Sequence, residues 1–182
     1  INFSINDNIG SSANPMIFNF TTEFLHKRQL SSNWNWYSTF VAVEGRNGFV
    51  MLTEGLSELG IQVKSQFAFS NYETGDWNGA LKTVSTENMY MIKMSEPTEL
   101  GMSGIIVEPS EFPIVLNPNW KWIPYSVSVP MDVTTAFAEF TPHDGDIVKS
   151  QEGFTHYYEG LGWSGSLNTM TPGEGYMYQN TS

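Results

Sequence analysis

The densest cluster of groups able to do metal or acid–base chemistry is His143-Asp144-Gly145-Asp146. A DGD turn can offer oxygens to calcium, but the further acids and closing Glu of an EF-hand loop are missing. The string therefore reads as a turn that leads into a strand. Lys64-Ser65 and Lys149-Ser150 have the residue types of a Ser-Lys nucleophile. Adjacent residues on a strand point to opposite faces, so neither pair can make the contact that activation needs. The three histidines, His26, His143 and His156, are scattered and are expected at the surface or partly packed. Cysteine is absent, which excludes disulfides, thiolate metal sites and cysteine nucleophiles together. No metal and no cofactor is expected. Glycosidase carboxylates pair only in space, so a hydrolase with such acids stays open as a second alternative.

Aromatic residues are the remaining candidates. Trp77 in Gly75-Asp76-Trp77-Asn78-Gly79 and Trp163 in Gly160-Leu161-Gly162-Trp163-Ser164-Gly165 are bracketed by glycines, which strip away neighbouring bulk. A ring there can lie flat beside a hairpin, and sugar stacking needs such an apolar platform with amides and hydroxyls alongside. The expected ligand-binding residues are Trp77, Trp163, Tyr72, Tyr157, Asn78 and Ser164. The competing reading has each tryptophan closing a small core. Trp34 and Trp36 share a strand face, as do Trp120 and Trp122, with Asn35 and Lys121 between them. The polar intervening residue places these four tryptophans on the buried face.

The elements that must position these residues are written twice. Asn33–Val41 (NWNWYSTFV) returns at Asn119–Val127 (NWKWIPYSV), and Val63–Gln66 (VKSQ) returns at Val148–Gln151. Phe69, Tyr72, Gly75, Trp77, Gly79 and Leu81 match Phe154, Tyr157, Gly160, Trp163, Gly165 and Leu167. Asn88–Ile92 matches Glu174–Tyr178, and the offset stays at 85 or 86 residues throughout. All six tryptophans fall at paired positions, as a tandem duplication requires. Residues 1–14 read as a linker, 15–94 as copy one and 101–182 as copy two, with Ser95–Thr98 as the seam.

Within each copy the IFNFTTEF and GIIVEP stretches suggest opening strands, and W-x-W a further one. Phe49, Leu52, Leu56 and Leu59, and then Val133, Ala136, Phe137 and Phe140, recur at helical spacing. Pro130 suits a first helical turn, and Gly60 and the Pro142–Gly145 turn suit the ends. Three short stretches of strand follow. The expected fold is α+β: two tandem copies of a small, mostly antiparallel sheet unit with one covering helix each.

Eight basic against nineteen acidic residues give a formal net charge of -11 over 182 residues. That balance repels phosphate backbones and anionic lipid, so neither nucleic acid nor membrane insertion is expected. An aromatic content of 14 % supports a packed core. The chain opens at Ile1 and shows no leader, so any targeting signal is expected to be removed or to lie outside it. Asn2, Asn19 and Asn180 head triplets of the N-glycosylation pattern, which carries no meaning in a bacterial protein.

Trp120-Lys121-Trp122-Ile123, Gly145–Gln151 (GDIVKSQ), Phe154 with Tyr157, Gly162–Leu167 (GWSGSL) and Pro172–Tyr178 (PGEGYMY) together carry a resemblance. They resemble a module found in tandem in large secreted or surface-anchored proteins of gut and rumen bacteria, especially Bacteroidetes. Copy one departs where Ser85–Met91 (STENMYM) stands for P-G-x-G-Y-M. The resemblance implies an extracellular or cell-surface accessory module, with neighbouring domains of a parent protein as partners, and carries over no catalytic residue. The reading that fits best is a non-catalytic module for a glycan ligand such as plant polysaccharide or mucin glycan. Its rival is a structural or adhesive module that spaces or docks domains.

Overall fold

A computed structural model describes residues 22–44 and 47–182. The linker at 1–14, most of the IFNFTTEF stretch, and Asn2 and Asn19 lie outside the described residues. In chain order the elements are β1 (Phe24–Leu30), β2 (Asn33–Tyr37), β3 (Val41–Ala42), α1 (Gly48–Leu56), β4 (Gly60–Lys64), β5 (Phe69–Glu73) and β6 (Asp76–Gly79). There follow β7 (Tyr90–Met94), β8 (Thr98–Ile106), β9 (Asn119–Pro124), β10 (Met131–Asp132) and α2 (Val133–Ala136). The chain closes with β11 (Ile147–Lys149), β12 (Phe154–Tyr158), β13 (Gly162–Gly165), β14 (Thr169–Met170) and β15 (Gly175–Asn180). Every strand pairing among the described residues is antiparallel. Strands outweigh helices, as an antiparallel α+β fold requires.

Two five-stranded sheets form the frame. One runs β2-β7-β4-β5-β6 and the other β9-β15-β11-β12-β13. Strands matched by the sequence repeat occupy matching places, and the register agrees: Tyr72 pairs with Trp77 as Tyr157 pairs with Trp163. The shift in offset from 85 to 86 has a local cause. β5 and β6 are joined by Thr74-Gly75, both at positive φ as a two-residue I′ loop requires. Between β12 and β13 the loop is Glu159-Gly160-Leu161, one residue longer. Gly79 and Gly165 serve one purpose in both hairpins, because a Cβ on either would stand 2.3 Å from the carbonyl oxygen of Phe69 or Phe154.

Each sheet buries one face. Leu52, Leu56, Val63, Tyr90 and Ile92 build the first core, and Val148, Tyr176, Tyr178, Val133 and Ile123 the second. A three-stranded sheet β1-β8-β3 closes over α1 and sends Leu30, Leu100 and Met102 into the first core. β8 thus packs in the first unit, although Gly101 onward leads toward the second.

The structure first corrects the expected helix bounds. Helix α1 ends at Leu56, not at Gly60, because Ser57 takes a positive φ of 48°. The second helix is a single turn, and Pro130 lies before β10 rather than within it. Asp132 caps it by accepting from Thr135 N at 3.0 Å. Tighter bonds from Ala138 N to Thr135 O and from Phe140 N to Phe137 O then carry Phe137 and Phe140 to the core without a longer helix.

The second correction concerns the W-x-W strands. Asn35 and Tyr37 are buried, so Trp34 and Trp36 stand half-buried on the face away from the core. In β9, Ile123 points inward and Trp120 is 39 % exposed. Side-chain period fixes a whole strand from any one residue, and the decisive residues are Tyr37 and Ile123, which are in phase with Asn35 and Lys121. The buried Asn35 amide is satisfied: it accepts from Ser31 N and donates to Ser31 O, each at 2.8 Å.

Candidate ligand-binding cleft

The two units meet along the edge strands β2 and β9, which no named strand covers, with a single antiparallel bridge from Tyr37 to Glu174. Gln151 closes the first edge: its side-chain oxygen accepts from Trp36 N at 2.8 Å and its Nε2 donates to Trp34 O at 2.8 Å. Gln66, at the matching position, accepts from Trp122 N and donates to Trp120 O, both at 3.0 Å. Each glutamine thus imitates one residue of a neighbouring strand, and the two do so reciprocally. Lys64 Nζ lies 4.4 Å from the ring centroid of Trp34 and 5.9 Å from that of Trp122, so the outer tryptophans of both units gather around one cation. Ser38 is fully buried at this junction, where its hydroxyl donates to Glu174 O at 2.6 Å and accepts from Tyr125 N at 3.1 Å.

Beside this junction opens a polar cleft of ≈ 460 Å³. β1 and β2 contribute Arg28, Gln29 and Trp36, and the second unit contributes Gln151, Glu152, Asn168 and Glu174. Arg28 Nη1 lies 3.2 Å from Glu174 Oε1. Tyr176 donates its hydroxyl to Glu174 Oε2 at 3.0 Å and accepts from Thr171 N at 2.7 Å. Burial drives the Tyr176 hydroxyl pKa well above the usual phenol range, so it stays a neutral donor. The buried Nε of Arg28 has no hydrogen-bond partner among the described residues. This cleft has no signature in the sequence, because its two walls lie more than a hundred residues apart. The only hint was that Gln66 and Gln151 recur together with the tryptophans whose strands they clasp.

The residues proposed from sequence are divided by the fold. Trp77 is half-buried, with its ring 5.6 Å from Tyr72 and 6.2 Å from Phe49 of α1. Trp163 is likewise half-buried, 5.3 Å from Tyr157 and 5.4 Å from Phe137. Each tryptophan therefore meets its tyrosine on the core side of its hairpin. Asn78 and Ser164, one residue further on, project from the opposite face and are exposed.

The other chemical candidates resolve as structure. Asp146 has a fully buried side chain that accepts from Tyr178 Oη at 2.6 Å, His143 N at 2.9 Å, and Thr181 N and Oγ1 at 2.8 Å each. Burial works against its charge, but these donors outweigh burial and hold its pKa below the ordinary carboxyl range. His26, expected at or near the surface, is buried against Phe40 at 4.4 Å. Burial, aided by the charge of Arg28, lowers its pKa to about 4. Ser65 and Ser150 turn their hydroxyls into the loops after β4 and β11, donating to Ala68 O and Gly153 O. Asn180 is buried and donates to Leu116 O. Among the described residues no group of His, Asp or Glu converges as metal ligands would, and no helix is long and apolar enough to cross a membrane. Comparison with protein-family models, with curated proteins and with solved structures found no match.

Proposed function

We propose that the chain is a non-catalytic carbohydrate-binding module, extracellular or displayed at a cell surface, built of two tandem copies of one sheet-and-helix unit. The corresponding strand orders, matched registers and reciprocal glutamine clasp support the duplication. The polar cleft between the units carries the binding reading. Its walls combine amides, hydroxyls and a carboxylate–guanidinium pair with Trp36, the mixture that fixes a sugar ring by hydrogen bonds beside an apolar surface. The net charge of -11 favours neutral glycans over acidic ones. Trp77 with Tyr72 and Trp163 with Tyr157 form a second possible pair of platforms, favoured by the half-open state of both rings.

A screen of neutral plant and mucin oligosaccharides against the intact chain tests the proposal, followed by calorimetric titration of each hit. Asn168→Ala is expected to weaken binding by tenfold or more and leave the melting temperature within about a degree, since Asn168 is exposed. Loss of binding in Trp163→Ala alone would move the site to the hairpin platforms. A screen without hits would favour the structural spacer, for which the clasped junction is equally suited.

A further inference from the structure

Among the described residues, the first unit is completed by a strand that has no counterpart in the second. β8 lies antiparallel to β1, with Leu100 opposite Arg28 and Met102 opposite His26. Its other edge meets β3, where Val41 pairs with Ile106. Leu100 and Met102 enter the first core, and Gly55 of α1 leaves room for the Leu100 side chain. At an offset of 86, the inward residues His26, Arg28 and Leu30 of β1 correspond to Phe112, Ile114 and Leu116. That later segment belongs to no sheet, and its Ile114 and Val115 are 41 % and 67 % exposed. Between it and Phe137 and Phe140 runs an apolar groove of ≈ 480 Å³. Val127, the counterpart of Val41, stands on the far wall. The groove has the position that β8 fills in the first unit.

We propose that this groove is a strand-docking site, filled by the opening strand of a further unit of the same kind, which adds antiparallel to Phe112–Leu116 as β8 adds to β1. The occupant follows from the chain's own arrangement: Thr98–Ile106 completes the first unit and also opens the stretch that leads into the second. Repeating that step once requires an extended segment with apolar side chains at alternate positions. Such a strand gains main-chain hydrogen bonds from Ile114 and Val115, which belong to no strand, and covers their exposed apolar side chains. Phe140 stands 85 residues after Gly55 and lines the groove, so a small residue is expected at the position corresponding to Leu100. The inference rests on the equivalence of the two units and is independent of glycan binding, so either can fail alone.

Two nine-residue peptides serve as probes, one with the Thr98–Ile106 sequence and one carrying Leu100→Ala. Each is titrated into the intact chain and followed by backbone amide chemical shifts and hydrogen exchange. Saturable shifts and new protection at Ile114–Leu116, with shifts at Val127 and Phe137–Phe140, are expected, and the Leu100→Ala peptide should bind more tightly. Ile114→Asp, at a position exposed enough to leave folding intact, should weaken binding at least tenfold. Shifts confined to β1 and α1 would show exchange into the first unit and overturn the proposal. So would equal binding of a scrambled peptide, or protection of Ile114–Leu116 in the peptide-free chain, which would mean that the groove is already filled from within.

Discussion

His26 and Asp146 are two buried groups whose pKa values are lowered, so both bear on stability below neutral pH. His26 is buried as a neutral ring, with its pKa lowered from 6.5 to about 4. Between those values the unfolded chain binds a proton that the folded chain refuses, so stability falls as pH falls through that window. The loss levels off near about 3 kcal/mol. Asp146 acts in a lower range. Its folded pKa is depressed, so its contribution is complete above the unfolded carboxyl value of about 4 and is lost as pH drops through the folded value. His26→Phe keeps an aromatic ring against Phe40 and Tyr37. Urea unfolding at a series of pH values should show that variant flat from pH 6.5 to 4 and still declining below. An undiminished slope in the upper window would assign the linkage to another group.

At the scale of elements, the exposed edges of β2 and β9 set the problem and the glutamines answer it. An uncovered edge strand invites pairing with another chain. Here each edge is clasped at its W-x-W segment by one side chain that supplies both a donor and an acceptor. Removing either amide leaves backbone groups that water can reach, so Gln66→Ala or Gln151→Ala should cost about 1–2 kcal/mol in chemical denaturation. The two substitutions act at separate edges of one junction. A double variant that loses far more than the sum would show that the clasps support each other. Costs indistinguishable from zero would reduce both to surface contacts. The clasp also explains the orientation of the tryptophans: with Asn35 and Tyr37 inward, their rings remain beside the junction and its lysines.

For the molecule as a whole, the junction has a buried part beside its exposed clasps. Ser38 and Met89 are fully or almost fully enclosed, Gly175 leaves room for the Met89 side chain, and Ser38 bonds to main chain on both sides of Tyr125. Neither unit can unfold without exposing these groups of the other. A single calorimetric transition is therefore expected, with calorimetric and van't Hoff enthalpies equal. Two resolved transitions would mean that the units are energetically separate and that the junction contributes little.

The repeated strings in the sequence located the matching strands, because a strand needs only local pattern, a turn of fixed φ and a glycine where backbones approach. Thr74-Gly75, Gly79 and Gly165 are such local features, although in the sequence the glycines were read only as room beside Trp77 and Trp163. The faces of the W-x-W strands were decided further along, by Tyr37 and Ile123, since one inward residue commits every alternate neighbour. The short second helix was decided by packing, with Phe137 held against Trp163 rather than by another helical turn. The cleft, the glutamine clasp and the open groove exist only in three dimensions. Arg28 meets Glu174, and Gln66 meets β9, across separations that no periodicity records. A local pattern specifies which way a side chain leaves its own strand, and only the docking of two sheets decides what it then touches.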